Sequence, residues 1–375
     1  MRMKALALLG SAVIVAASLA PAARAEQNVP GSVIVFPYVN TSTTVISITN
    51  TYLVNWEGPQ AGVLRGGHEL CVENDPQSDR IGDTAVHLIF FQKSDNPGSN
   101  CIHSDFFIPL LTAQDHTTFV PTDIGFPAGA VGWMVAFASV PNSDDPDNTP
   151  LPWAFDFLAG QAWNVNSGDD FSWSYNGYPY LSRDWAVVPA DDTPCDRTVF
   201  DSDEFLDFNL VGLEGEYEQW GDELILPRFF EESNDGADKD SLVALISPLN
   251  SFEDQRNFKV TFSTLFWDND ENGPFSRTTD FRCAFWGSMR DISAMAADLG
   301  GTAGAPEQPT GWALFDGFSL KDDETNETVS TDPPLLGVFA QFNTPGDARF
   351  HTGANMFTRG FNYDKARIQY LFGVQ

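Results

Sequence analysis

The chain has 375 residues, with 20 basic against 52 acidic side chains, a formal net charge of −32 and a hydrophobic content of 42%. A surface so poor in Lys and Arg repels nucleic acid and anionic lipid, whose binding relies on cations that neutralise phosphate, so neither is an expected partner. The acids are spread along the chain instead of massed in one block, which fits solubility or life in salty water better than a dedicated divalent-cation store.

Met1 to Ala25 reads as a secretory signal. Arg2 and Lys4 give a basic start, Ala5 to Ala20 an apolar run, and Ala23-Arg24-Ala25 a small-residue cleavage site. The mature chain is expected to begin near Glu26 and to be secreted, periplasmic or held at the cell surface. Without the signal it has 350 residues and a charge of −35, 17 basic against 52 acidic. No later stretch approaches the roughly 18 consecutive apolar residues of a spanning helix, so no membrane span is expected. A chain of this length buries two cores, which predicts two domains, over 26–190 and 200–375.

Four cysteines, Cys71, Cys101, Cys195 and Cys283, are an even number in an exported chain, where disulfides are expected. Three connectivities exist. Proximity within each half favours Cys71 with Cys101 and Cys195 with Cys283. There is no Cys-x-x-Cys pair and the five histidines are scattered, so zinc is not expected.

Along the chain, strand signals dominate. Val33 to Phe36 runs into Pro37, Thr44 to Thr49 ends at Asn50, and Ala85 to Phe91, Val131 to Val140 and Trp153 to Leu158 are further short apolar runs bounded by turn formers. Leu224-Ile225-Leu226-Pro227, Ser241 to Ser247 and Phe258 to Trp267 read the same way in the second half. Landmarks recur in order. Gly132-Trp133 is echoed by Gly311-Trp312, Phe157-Leu158-Ala159-Gly160 by Leu335-Leu336-Gly337, Asp105-Phe106-Phe107 by Asp280-Phe281-Arg282, and Thr112 to Asp115 by Ser288 to Asp291. Collinear order with near-equal spacing predicts an internal duplication joined between about Asp184 and Glu204. Ser288-x-x-Asp291 resembles a capping box ahead of Ile292 to Leu299, the one helical signal. The expected fold is all-β, two tandem β-sandwich domains of Ig-like or jelly-roll-like type with at most one short helix.

Candidate chemistry is sparse. Asp268-x-Asp270-x-Asn272-Gly273 places oxygen ligands at alternate positions ahead of a glycine, as a calcium loop opens, but the position for a closing Glu holds Thr279. The same residues suit a polar hairpin tip, so calcium is the only cofactor the sequence suggests and its loop has a plain alternative. Asp144, Asp145 and Asp147 form a second acidic loop. His103 with Asp105, and Asp115 with His116, are acid and histidine neighbours that fit surface turns as well as acid–base work. No Gly-x-Ser-x-Gly elbow, His-Glu-x-x-His or phosphate-cradling glycine loop occurs, and no carboxylate pair is selected for sugar hydrolysis. Ten tryptophans suggest glycan binding, with Trp153, Trp163, Trp173 and Tyr175 as the candidate platform. Phe171-Ser172-Trp173-Ser174-Tyr175 alternates, so its aromatics share one face, which is either a platform or core. Trp133 and Trp312 are core candidates.

The order Phe36-Pro37, Thr44 to Asn50, Gly132-Trp133, Phe157-Leu158-x-Gly160 and Gly212-Leu213-Glu214-Gly215-Glu216-Tyr217 resembles a family of uncharacterised exported bacterial proteins. The resemblance spans nearly the whole mature chain and implies an exported β-rich protein of unknown function. The reading that follows is a non-catalytic binding or structural protein of the cell envelope or exterior, the alternatives being a carbohydrate-binding module, a calcium-stabilised adhesion-type protein or a secreted hydrolase. A glycan or another envelope protein is the expected partner.

Overall fold

The structure, a computed structural model, describes residues 30–52, 83–94, 101–139, 155, 157–166, 171–180, 221–230, 239–248, 258–268, 273–289, 292, 310–343 and 350–359. These residues are almost wholly β. The first half holds β1 (Val33–Asn40), β2 (Thr44–Asn50), β3 (Thr84–Gln92), β4 (Ile102–Leu111), β5 (His116–Phe119), β6 (Val131–Ser139), β7 (Leu158–Asn166), β8 (Phe171–Asn176) and β9 (Tyr178–Tyr180), with one 3-10 turn at Pro121–Ile124. The second half holds β10 (Glu223–Phe230), β11 (Lys239–Ile246), β12 (Phe258–Asp268), β13 (Phe275–Phe281), β14 (Phe285–Ser288), β15 (Thr310–Asp322), β16 (Thr328–Ser330), β17 (Leu336–Asn343), β18 (Phe350–Asn355) and β19 (Phe357–Arg359). Met289 and Ile292 are helical and buried, while most of the predicted helix lies outside the described residues.

The strands form four small sheets. Sheet I has the order β5-β2-β7-β8, sheet II β4-β3-β6-β1-β9, sheet III β14-β11-β17-β18, and sheet IV β13-β12-β15-β10-β19 with β16 on β15. Strand order in sheets III and IV repeats that in sheets I and II. The chain enters each sheet more than once, so both sheets of a half are completed together.

Residue equivalence can be read from the pairing registers. Phe91 pairs Trp133 in sheet II, and Trp267 pairs Trp312 in sheet IV. The ring pairs stack alike, with centroids 4.1 Å apart at 14° and 3.9 Å apart at 6°. Gly132 and Gly311 precede these tryptophans because a Cβ there would strike the carbonyl oxygens of Phe91 and Trp267 on the neighbouring strand. The ladder between the first strand and its neighbour shifts between Phe36 and Val39 in one half and between Leu226 and Phe229 in the other. Each shift spans a proline, Pro37 or Pro227, which cannot donate to a ladder. Gln114 and Cys283 both take a left-handed conformation, with φ 63 and 62, in the turns before β5 and β14. Two landmark pairs are displaced from their expected match. Thr84 pairs Leu111 where Val260 pairs Phe281, so Leu111 answers Phe281, and the turn at Thr112–Asp115 answers Arg282–Ala284 instead of Ser288–Asp291.

The expected pair of tandem sandwiches is not what these sheets make. They are four small sheets in a propeller-like arrangement, with core residues shared between sheets I and II, II and III, and III and IV. The centre of sheet II is buried on both sides: Ile34 and Phe36 pack toward sheet I beneath Gly160 and Gly177, while Val33, Val35 and Tyr178 face the second half. Sheet III is likewise shared. Val243 and Leu245 belong to the core with sheet IV, whereas the alternating Ala244 and Ile246 join the core of the first half, with Leu336, Val338 and Ala340. One of the two hydrophobic cores therefore draws on both halves, which two independent sandwiches exclude.

Polar contacts reinforce that seam. The Tyr178 hydroxyl donates to the carbonyls of Gly337 and, at 3.3 Å, Met356. Asn355 Nδ2 donates to Asn176 O at 2.7 Å and its Oδ1 accepts from Asn176 N at 3.0 Å. Tyr38 meets Trp286 edge-on at 5.9 Å, and Lys93 Nζ lies 4.7 Å from the centre of the same indole. Cys101 and Cys283 are joined in a disulfide that bridges 182 residues of sequence. That bond replaces the within-half pairing expected for these two cysteines, because the seam brings their backbones together, Cα to Cα 5.0 Å. Cys71 and Cys195 lie outside the described residues, as does the expected join between the halves. Because the core is shared, denaturant is expected to unfold the described fold in one transition, seen alike by far-ultraviolet circular dichroism and tryptophan fluorescence. Tyr178→Phe should lower the unfolding free energy by about 1–2 kcal/mol, since two carbonyls at the seam lose their donor.

Candidate functional site

Three aspartates, Asp222, Asp316 and Asp332, each present a carboxylate oxygen within 4.8 Å of the other two. Asp222 immediately precedes β10, Asp316 lies on β15 opposite Glu223, and Asp332 sits in the turn from β16 to β17. The backbone holds them together. Gly317 N donates to Asp222 O at 2.9 Å, Leu335 N to Gly221 O at 3.2 Å, and Asp332 N to Ser330 Oγ at 3.1 Å. Gly317 lets the Asp332–Pro333 turn close on β15, since a Cβ would meet the Pro333 carbonyl.

Carboxylates this close cannot all ionise cheaply. Partial burial, the hydrogen bond with Asp332 and the charges of Asp332 and Asp316 push Asp222 up to about 7. Burial and the charges of Glu223 and Asp332 raise Asp316 as well. Chemically, such a trio holds a shared proton at neutral pH and has the oxygen donors of a hard-cation site. Sequence reasoning missed it, because its members lie far apart and only the β10–β15 register and the Gly317 contact assemble them. The predicted metal residues fall elsewhere: Asp268 closes β12, opposite Gly311, while Asp270 and Asn272 lie outside the described residues. The flanking strands β12 and β13 pair directly, as far as Phe266 opposite Phe275. The loop with Asp144, Asp145 and Asp147 is also outside them.

Of the predicted platform, Trp173 and Tyr175 are buried. Trp173 lies against Gly353 of β18, where a Cβ would strike its ring, and the Tyr175 hydroxyl donates to Tyr38 O. They are core because their face of sheet I turns inward. Trp163 points the other way and is 54% exposed. Trp153 lies outside the described residues. By register, Trp163 shares its face with Val45, Ser47, Thr49, Thr118, Gln161, Val165, Ser172 and Ser174. Ser47 Oγ and Thr118 Oγ1 are 3.1 Å apart on it. No strand residue of that face is an Asp, Glu, Lys or Arg, in a chain with 52 acids.

The histidine neighbours separate. His103 and Asp105 are exposed on β4, and Asp115 Oδ1 accepts from His116 N at 2.8 Å, a turn contact. The histidine with an unusual environment is His87 of β3, whose Nδ1 is buried without a hydrogen-bond partner among the described residues, its ring edge-on to Phe137 at 4.6 Å. Burial lowers it to about 4, against the opposing pull of Asp105.

No family model matches the chain, and no curated protein matches it. Among solved structures, the crystal structure of Thermotoga maritima 1070 is similar over 37% of this chain and 96% of its own, at 7% identity and a TM-score of 0.23, too distant to bear on fold or role.

Two opposite pH trends follow. Asp222 keeps its proton more firmly folded than unfolded, so its contribution is full below about pH 4 and is lost as pH rises to about 7. Asp222→Asn should therefore raise the melting temperature at pH 8 and leave it nearly unchanged at pH 4. His87 does the reverse: its contribution is full above the ordinary value of 6.5 and is lost as pH falls toward 4. His87→Phe should flatten the acid limb of the stability profile, an effect of up to about 3 kcal/mol, read from denaturant titrations between pH 7 and 4.

Proposed function

We propose that this chain is an exported, non-catalytic binding protein of the cell envelope or exterior that takes a neutral glycan on the outer face of sheet I. The observation that carries the reading is Trp163, an exposed indole on a strand face otherwise lined by hydroxyl, amide and small aliphatic side chains and the His116 imidazole. Indole faces stack on the C–H surfaces of sugar rings, and neighbouring hydroxyls and amides exchange hydrogen bonds with sugar hydroxyls. An uncharged face on so acidic a chain selects against both anionic and cationic ligands, which leaves neutral saccharide as the complementary chemistry.

Export is supported by the signal-like Met1–Ala25 and by the disulfide between Cys101 and Cys283, a bond characteristic of oxidising compartments. Among the described residues no helix is long and apolar enough to cross a membrane.

Titration of the protein with a soluble neutral β-glucan and a neutral mannan, with alginate as the anionic control, tests the reading. Intrinsic fluorescence is expected to shift with a neutral polymer and to stay constant with alginate. Trp163→Ala should abolish the shift while changing stability by less than about 0.5 kcal/mol, because the side chain is largely exposed. Unaltered binding by Trp163→Ala, or no response to either neutral polymer, would sink the proposal.

A further inference from the structure

The turn that carries Cys283 takes its shape from the repeat and not from the disulfide. Cys283 has φ 62 two residues before β14, and its counterpart Gln114 has φ 63 two residues before β5, where no cysteine is present. Other equivalent residues diverge: Trp133 is fully buried and Trp312 only half-buried, which departs from the core expectation for Trp312. The left-handed turn is common to both halves, and the bond is an addition to one of them.

The surrounding seam is likewise built by other contacts. Ile102, next to Cys101, pairs Gln92 of β3, and Lys93 Nζ lies over the Trp286 ring three residues beyond Cys283. Tyr178 and Asn355 link the halves elsewhere along the junction. Cys283 Sγ is 3.8 Å from the Gln92 carbonyl oxygen, an acceptor for the S–H that the reduced residue would carry. Cys283 therefore has a place in the seam as a thiol.

The unfolded chain disfavours this pair. Cys101 and Cys283 are 182 residues apart, whereas Cys71 is 30 residues from Cys101. By the three-halves power of loop length, an unfolded Cys101 meets Cys71 about fifteen times more often than Cys283. Only the folded seam brings Cys101 and Cys283 together. Once there, the two residues differ in access, since Cys283 is 1% exposed and Cys101 only partly buried. Thiol–disulfide exchange needs a thiolate to reach one sulfur of the disulfide, so access decides which sulfur takes part.

We propose that Cys101 is a thiol–disulfide exchange site, at which a dithiol–disulfide oxidoreductase closes the Cys101–Cys283 bond on a seam already folded. In closure the Cys101 thiolate attacks the disulfide of the oxidised partner. A bond forms from Cys101 Sγ to one partner sulfur, and the other partner sulfur leaves as a thiolate. Cys283, its proton lost to water, then attacks Cys101 Sγ, and the mixed disulfide breaks. The partner departs as a dithiol carrying the two electrons. Reduction runs the same path backwards and enters again at Cys101. The partner touches only the accessible cysteine, so the seam stays shut throughout. None of this uses the Trp163 face, and the proposal stands or falls separately from glycan binding.

The test uses the full mature chain, reduced with dithiothreitol and then freed of it, with modified cysteines located by peptide mass mapping. At room temperature the reduced chain should keep its far-ultraviolet circular dichroism spectrum, and it should melt at a lower temperature than the oxidised chain. A brief iodoacetamide pulse should alkylate Cys101 at least about tenfold faster than Cys283, a difference that disappears in urea. With glutathione disulfide as the oxidant, Cys283→Ser should accumulate a mixed disulfide at Cys101, and Cys101→Ser should form none at Cys283 without urea. Equal alkylation of the two cysteines in the folded wild-type chain overturns the proposal. So does a glutathione adduct at Cys283 of folded Cys101→Ser, or a reduced wild-type chain that loses its spectrum.

Discussion

The constraint on which the rest depends is that the central strands of sheets II and III are buried on both faces. A strand in such a sheet cannot alternate apolar and polar residues; both parities must be apolar, or small enough to let a neighbouring sheet approach. β6 obeys this from Gly132 through Ser139, every residue buried, and β1 from Val33 to Phe36 does the same. β12 of sheet IV, with one face outward, alternates buried and half-buried residues along nearly its whole length. Among the described residues the four-sheet arrangement is written in that contrast, with the central strands of sheets II and III covered on both faces and those of sheets I and IV on one.

The seam between sheets II and III also accounts for the polar groups that gather there. Where two sheets meet, the side chains that remain polar need partners on the opposite backbone, since a buried unmatched group costs on the order of 1–3 kcal/mol. Tyr178 finds the Gly337 and Met356 carbonyls, and Asn355 satisfies both the amide and the carbonyl of Asn176. Each reaches from one half into the other, so these contacts fix orientation as well as remove area. The disulfide lies at an edge of the same junction and shortens the unfolded chain between its ends.

Much of the local structure was legible in the sequence. β-branched runs bounded by turn formers mark β1, β2, β3, β6 and β11, and the two Gly-Trp strands do share a position, because both glycines admit a neighbouring carbonyl. The layering was not legible. An apolar strand of length eight reads the same whether its second face meets another sheet of its own half or a sheet from the other half. The sandwich expectation failed at that step, and so did the pairing of Cys101 with Cys71. The candidate sites divide in the same way. Alternation along β8 correctly grouped Trp173 with Tyr175, but only the register with β7 shows that this group faces inward and that Trp163 faces out. The aspartate trio depends on segments about one hundred residues apart, and no periodicity within either segment announces it.

The crossing of the chain between sheets has a consequence for the order of assembly. β1 pairs on one side with β6 and on the other with β9, so Val33 is not flanked on both sides until Tyr180 is in place. Sheet III, which covers the far face of β1, is drawn entirely from the second half. Contacts so remote in sequence carry a high loop-closure cost before any burial rewards them, and folding dominated by them is slow. The first strand of the fold is therefore among the last to be secured, and a chain emerging from its amino terminus has no finished unit to fold into until the second half has followed.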